Sequence, residues 1–353
     1  MNPTTIGLDL AKNVFQIHAT DARGKELFRK RLQRHQMAAF FAQQPPSIVA
    51  MEACASAHHW GRKLQDMGHS VRLIAPQFIK PYVKSQKNDA ADAAAICEAA
   101  SRPHMRFVAL KSVGQQSQLA LHTVRSGLVK QRTALSNQTR GLLAEFGVAL
   151  PQGLSHLRQA LPRLQQEPMG ELDTHMRPLL GMLEQQLRLL DEHIAQLERH
   201  IKQMANQDPC SVLLQQIPGI GPISASALAA SVGHARHFEN GRQMSAWLGL
   251  VPKQHSSGGK NVLLGITKRG DKYLRTLLIH GARSALKSYQ SNPTRMPQWV
   301  GQLLKRKHPN IVCVAMASRN ARVAWAMLSK GQDYRAPALG GLADVAAAAA
   351  LGA

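Results

Sequence analysis

Ile6-Gly7-Leu8-Asp9-Leu10-Ala11-Lys12-Asn13-Val14-Phe15-Gln16-Ile17-His18-Ala19 decides the fold of this chain. Its two apolar runs suit the strands of a hairpin, because Ile, Val and Phe favour a pleated surface and Lys12-Asn13 supplies a polar turn. Asp9 does not fit a plain core strand. Among Ile6, Leu8 and Leu10 its carboxylate is costly to bury, by roughly several kcal/mol, unless a cation or hydrogen bonds meet it. A metal ion is the partner that such an acid calls for.

The pattern returns downstream. Glu26 to Leu32 reads as a third strand and Gln36 to Gln43 as a short helix closed by Pro45-Pro46. Ser47-Ile48-Val49-Ala50-Met51-Glu52 is a buried strand that again ends in an acid. A helix from His58 stops at Gly68, a strand follows over Val71 to Ala75, and Pro76 and Pro81 bracket a short connection. Lys87-Asn88-Asp89-Ala90-Ala91-Asp92-Ala93 then opens an alanine-rich helix, with Asn88 as cap and with Asp89 and Asp92 on one face. Acids in a first helical turn also favour the macrodipole, so this pair taken alone leaves both roles open. Three strands, an αβα alternation and four acids together match the layout of a ribonuclease H-like metal nuclease core. Carboxylates converging from separate elements offer oxygen ligands suited to magnesium or manganese. Two such ions, about 4 Å apart, clamp the attacking and leaving oxygens of a phosphodiester.

A length of 353 residues suffices for two or three domains. Lys and Arg number 44 against 21 acids, a formal charge of +23, which asks for a polyanionic partner, nucleic acid by default. No apolar run looks long enough for a bilayer and no basic-then-apolar signal opens the chain. A cytoplasmic, nucleoid-associated protein with no membrane partner is expected. Cys54, Cys97, Cys210 and Cys313 stand singly, without zinc-site spacing, and are expected to be reduced and mostly buried. The adjacent His58-His59 suits a surface or DNA-facing role better than a metal site.

Lys111 to Phe146 reads as a long polar helix carrying Leu119, Val124, Leu128, Leu135 and Leu142. Its Arg125, Lys130, Arg132 and Arg140 are expected to be exposed, to solvent or to phosphates. Pro151 to Pro168, rich in Pro and Gln, reads as a loop or linker. Leu180, Leu183, Leu187, Leu190, Ile194, Leu197, Ile201 and Met204 alternate in steps of three and four, the a/d seam of a coiled coil. That seam can pair with the long helix of its own chain or, the favoured expectation, with a second chain.

Ile217-Pro218-Gly219-Ile220-Gly221-Pro222 resembles a helix-hairpin-helix in which Gly219 and Gly221 expose backbone N–H groups to a phosphate. A glycine-rich connection that touches nothing would read the same way. Farther on, Ser256-Ser257-Gly258-Gly259 lies among Lys253, Lys260, Lys268, Arg269 and Arg275. A serine attacking a phosphodiester needs such cations, and a base or metal to take its proton; His255 is the nearest candidate base.

The combination of Ile6-Gly7-Leu8-Asp9, Met51-Glu52-Ala53, Lys87 to Ala93, Ile217 to Gly221, Gly249-Leu250-Val251-Pro252 with Ser256-Ser257-Gly258, and Ile266-Thr267-Lys268-Arg269-Gly270 resembles the DEDD transposases of the insertion-sequence 110/1111 family, and the 1111 branch in its long middle. The likeness runs from about residue 4 to about residue 330. It implies a RuvC-like (ribonuclease H-like) α/β domain over residues 1–108, with Asp9, Glu52, Asp89 and Asp92 as the acids that bind magnesium. It further implies a helical, coiled-coil and dimerisation region over 109–208 and a mainly α transposase domain with helix-hairpin-helix over 209–330. A tail over 331–353, rich in Ala and Gly, is expected to be disordered. The family's nucleophilic serine, the one immediately before glycine, corresponds to Ser257, with Ser256 the fallback because the serine is doubled. Family members recombine donor and target DNA, guided by a structured bridge RNA from their own element. They act as dimers or tetramers in bacteria and archaea, with composite sites built from two subunits. Two other functions fit the residues alone. One is a RuvC-like structure-specific endonuclease that uses water; the other is a non-catalytic nucleic-acid-binding protein.

Overall fold

The computed structural model describes residues 3–83, 89–167 and 171–337, the side chains of residues 89 and 90 excepted. The chain forms two compact units, Met1–Gly114 and Gln115–Ala353.

The first unit is a mixed sheet with helices on both faces. Its strands are β1 (Thr5–Leu10), β2 (Val14–Thr20), β3 (Glu26–Gln33), β4 (Ile48–Glu52), β5 (Ser70–Ile74) and β6 (Phe107–Val108), in the spatial order β3-β2-β1-β4-β5-β6. The hairpin expected around Lys12-Asn13 pairs Leu10 with Phe15 and Asp9 with Gln16. β1, β4 and β5 run parallel, while β6 is an antiparallel edge too short for any sequence periodicity to reveal. Helices α1 (Met37–Ala42), α2 (Ala57–Asp66), α3 (Pro76–Ile79) and α4 (Asp89–Ala100) complete the unit.

Alternation along each strand separates the two faces. Ile6, Leu8, Phe15, Met51 and Leu73 pack with Trp60 and Leu64 of α2 on one of them. Ala50 and Ile74 pack with Ala95, Ile96 and Ala99 of α4 on the other. Gly7 belongs to this second face because a Cβ there would lie 2.2 Å from the Ala93 carbonyl. Only a glycine lets α4 approach β1 so closely.

The second unit is helical apart from one hairpin. It contains α5 (Val113–Glu145), α6 (Leu154–Gln166), α7 (Met176–Gln207), α8 (Pro209–Gln215), α9 (Pro222–Val232) and α10 (Gly241–Trp247). The hairpin strands β7 (Pro252–Gln254) and β8 (Leu263–Ile266) follow, then α11 (Lys272–Ser291), α12 (Gln298–Leu304) and α13 (Pro309–Lys330).

Several expectations for this half need correcting. The expected linker after Pro151 contains helix α6, whose Leu157, Leu161 and Leu164 recur at helical spacing and are buried despite Pro162. The arginines of α5 do not all face solvent. Arg125 pairs with Glu198 at 2.5 Å and Arg132 with Asp191 at 2.8 Å, so α5 and α7 of the same chain are held antiparallel. Arg140 donates to the Leu150 carbonyl at 3.0 Å and to that of Gly153. Val124 and Leu142 are exposed, while His122, Ser136 and Thr139 are buried with Leu143. α13 is long and apolar enough to cross a bilayer, contrary to expectation, but Val312, Cys313, Met316, Ala317, Ala321, Ala324 and Met327 bury one face of it in the core. The tail lies outside the described residues from position 338 onward.

Candidate active site

Asp9 and Glu52 end adjacent parallel strands. The register pairs Gly7 with Ala50 and Leu8 with Met51, so the two acids follow the last paired positions side by side, both on the face covered by α4. Asp92 lies in the first turn of α4. Burial and the neighbouring Asp92 carboxylate raise the pKa of Glu52, while Lys80 opposes the shift. Burial, Glu52 and Asp9 push the Cys54 thiol up. A like charge beside the half-buried Glu52 carboxylate raises its proton affinity, and a hard divalent cation relieves the same repulsion.

Glu52 is thus the common neighbour of two expected acids, beside Asp9 across the strand register and within electrostatic reach of Asp92. The side chain of Asp89, like Lys87 and Asn88, lies outside the described residues. Among the described residues no three His, Cys, Asp or Glu side chains already meet in metal-binding geometry. The donors that are placed fit a divalent ion in chemistry, since Asp9, Glu52 and Asp92 offer only oxygens. Lys80 and Gln16, which faces Asp9 across the hairpin, are members of this corner that no sequence motif announces.

Ser256 and Ser257 occupy the exposed end of the β7–β8 hairpin in the second unit. Ser257 bridges to Lys260 across Gly258 and Gly259, whose φ values of +55° and +77° make the two-residue turn that glycine favours. The Ser256 hydroxyl oxygen accepts a hydrogen bond from Gln254 at 3.1 Å. Lys253, Lys260, Lys268 and Arg269 are all exposed. Arg275 is not: it is 9% exposed, and its guanidinium donates to the carbonyls of Leu248 at 3.1 Å and Gly270 at 3.4 Å. It positions the loop under the hairpin instead of lining a surface.

That loop is a clasp of backbone on backbone. The Thr267 and Lys268 amides donate to the Val251 and Gly249 carbonyls. A Cβ at Gly270 would lie 2.0 Å from the Trp247 carbonyl, and one at Gly249 would lie 2.8 Å from the Arg269 nitrogen. The two motif stretches of the sequence, Gly249 to Pro252 and Ile266 to Gly270, are thus one structural feature. Gly219, with φ +89°, packs against the backbone of Gly281 in α11, whereas Gly221 precedes α9 with open space beside it.

Of the two adjacent histidines, His58 accepts from the Lys111 amide at 3.3 Å. Burial, Lys111 and Arg62 lower its pKa to about 4. His59 is exposed, as expected of the pair.

A family model described as "Transposase IS116/IS110/IS902 family" matches residues 211–296, and a DEDD-type model described as "Transposase" matches residues 6–147. A Pseudomonas aeruginosa protein named "Probable family 20 transposase" is 52% identical over 95% of this chain and 99% of its own length. The transposase for insertion sequence element IS1328 of Yersinia enterocolitica is 44% identical, covering 94% of this chain and 99% of its own length. The transposase for insertion sequence element IS1111A of Coxiella burnetii is also 44% identical, with shares of 94% and 91%.

Proposed function

This chain belongs to the IS110/IS1111 family of insertion-sequence transposases, enzymes that cleave and transfer DNA, and from that premise we propose how it cuts. Asp9, Glu52, Asp89 and Asp92 would hold magnesium or manganese, and the hydroxyl of Ser257 is the nucleophile. The serine hydroxyl releases its proton to a base or to solvent as its oxygen attacks the scissile phosphorus. A P–O bond to Ser257 forms as the bond to the leaving strand oxygen breaks, and that oxygen takes up a proton. Attack by the hydroxyl of the incoming strand reverses the bonding and frees the serine. The divalent ion, when bound, supplies Lewis-acid stabilisation of the attacking and leaving oxygens. Lys253, Lys260, Lys268 and Arg269 stabilise charge developing on the phosphate.

The observation that carries this reading is Glu52 at the end of its strand, beside Asp9 of the parallel neighbour strand and near Asp92 of the helix, with its pKa raised by burial and by Asp92. The exposed serine turn, with Ser257 bridged to Lys260 at the end of a hairpin that also carries Lys253, supports its second half. Resemblance supports the remainder: guidance by a structured RNA, a coiled coil within residues 109–208, phosphate contacts by Gly219 and Gly221, and composite sites in a dimer or tetramer.

A test uses donor DNA, target DNA and RNA that copurifies with the protein. Wild-type enzyme should leave a protein–DNA adduct on a denaturing gel, and Ser257→Ala should lose both adduct and strand exchange, with Ser256→Ala retaining them. Strand exchange undiminished in Ser257→Ala sinks the serine assignment. Cutting without an adduct favours hydrolysis by water.

A further inference from the structure

The face of the first sheet turned away from the acids carries a hollow of about 510 Å³ walled by Asn13, Arg34, His35, His59, Trp60 and Lys63. No carboxylate lines it. Its cations converge on one indole: the Arg34 guanidinium lies 5.8 Å from the Trp60 ring centre and the Lys63 ammonium 5.5 Å. Cation–π contact holds these groups in place without neutralising them. Like charges brought together against a low-dielectric wall raise the local potential and attract an anion.

Arg34 is fixed before any ligand arrives. Its amide donates to the Asn13 carbonyl at 2.9 Å, its guanidinium donates to that of Lys12 at 3.1 Å, and the Phe15 ring lies 5.8 Å away. This one guanidinium hydrogen bond among the described residues leaves most of the five N–H groups to serve a ligand, with little ordering cost remaining. Trp60 is only 5% exposed, so the hollow offers charge rather than a platform for a base. An open, cationic, unstacked site suits a phosphate approached along a strand better than an enclosed small molecule.

We propose that this hollow binds a backbone phosphate of a nucleic-acid strand, as an anchoring site on the opposite face of the sheet from the acids. It rests on the chain acting on DNA and is independent of the serine and metal assignments.

The test is equilibrium binding of the full-length protein without divalent ions, so that nothing is cut. The probes are a labelled single-stranded DNA, an RNA of the same sequence and a DNA duplex, each across a salt series. Arg34→Gln/Lys63→Gln should flatten the dependence of log K on log salt by about 1 to 2 and weaken low-salt binding about tenfold or more. The probe that responds identifies the strand type. Arg177→Gln/Arg199→Gln, which removes two exposed charges from α7, should change binding less. Wild-type slopes on all three probes, or an equal loss in the α7 variant, overturn the proposal. Should the double variant melt early, Lys63→Gln alone decides, because its side chain is exposed; the expected slope change is then about 0.7 to 0.9. Failure here leaves cleavage and adduct formation untouched.

Discussion

The acid corner of the first unit and the serine turn of the second are built on opposite principles. Asp9 and Glu52 extend strands whose preceding residues, Ile6, Leu8, Val49, Ala50 and Met51, are essentially inaccessible, so strand register fixes where the acids lie. Pro252 to Leu264, by contrast, has scarcely a half-buried side chain, and Val262, Leu263 and Leu264 are 45%, 67% and 52% exposed. Metal ligands must be held rigidly because coordination tolerates little error. On the proposed reading the nucleophile of the exposed turn is carried instead by a rigid base, and the clasp around Gly249 and Gly270 is that base. The comparison teaches that rigidity lies at the donors in one case and beneath the reactive group in the other.

The largest expected effect tests the rigid donors. Asp9→Asn should lower DNA cleavage by at least about a thousandfold, since several kcal/mol of Lewis-acid stabilisation depend on the site. In the absence of divalent ions the variant should melt no lower than wild type, because one repelling charge is gone. Added magnesium should raise the melting temperature of wild type and not of the variant. Cleavage within tenfold of wild type, or about that, would break the assignment of Asp9.

Next comes the clasp. Gly270→Ala places a Cβ against the Trp247 carbonyl and should destabilise the second unit by about 2 to 3 kcal/mol in urea titration, whereas Ser257→Ala should leave stability within about 0.5 kcal/mol. Equal effects of the two substitutions would erase the contrast between base and tip.

A smaller effect is set by pH. His122 is 1% exposed, with Nδ1 3.0 Å from the Tyr273 hydroxyl and Nε2 3.1 Å from that of Ser226. Burial, aided by Arg125, lowers its pKa from 6.5 to about 4. A depressed histidine pKa means the unfolded chain binds the extra proton. The stabilisation is therefore complete above about pH 6.5 and is lost as pH falls toward about 4, roughly 2 kcal/mol of it by about pH 5. His122→Gln should flatten the loss of stability between about pH 7 and pH 5; an unchanged profile would place the acid sensitivity elsewhere.

Asp9 and Glu52 were legible because each interrupts or ends an apolar run, a local signal. The hairpin, β3 to β5 and the long helices were legible for the same reason, since periodicity is local. Helix α6 was obscured by Pro162 although its leucines carried the right spacing. The buried polar side of α5 was not legible because burial of His122 depends on Ser226 and Tyr273, more than 100 residues away in sequence. Arg275 looked like a phosphate ligand because nothing in its neighbours reveals two carbonyls waiting for it.

The sequence by itself determined the family, the first hairpin and the positive charge, because each resides in residue type and short-range spacing. Tertiary structure alone decided that Asp9 and Glu52 share one face, that α5 and α7 are joined by ion pairs within one chain, and that Arg34, Trp60 and Lys63 enclose one hollow. Those relations come from sheet register and helix packing, which bring together residues that the chain keeps far apart.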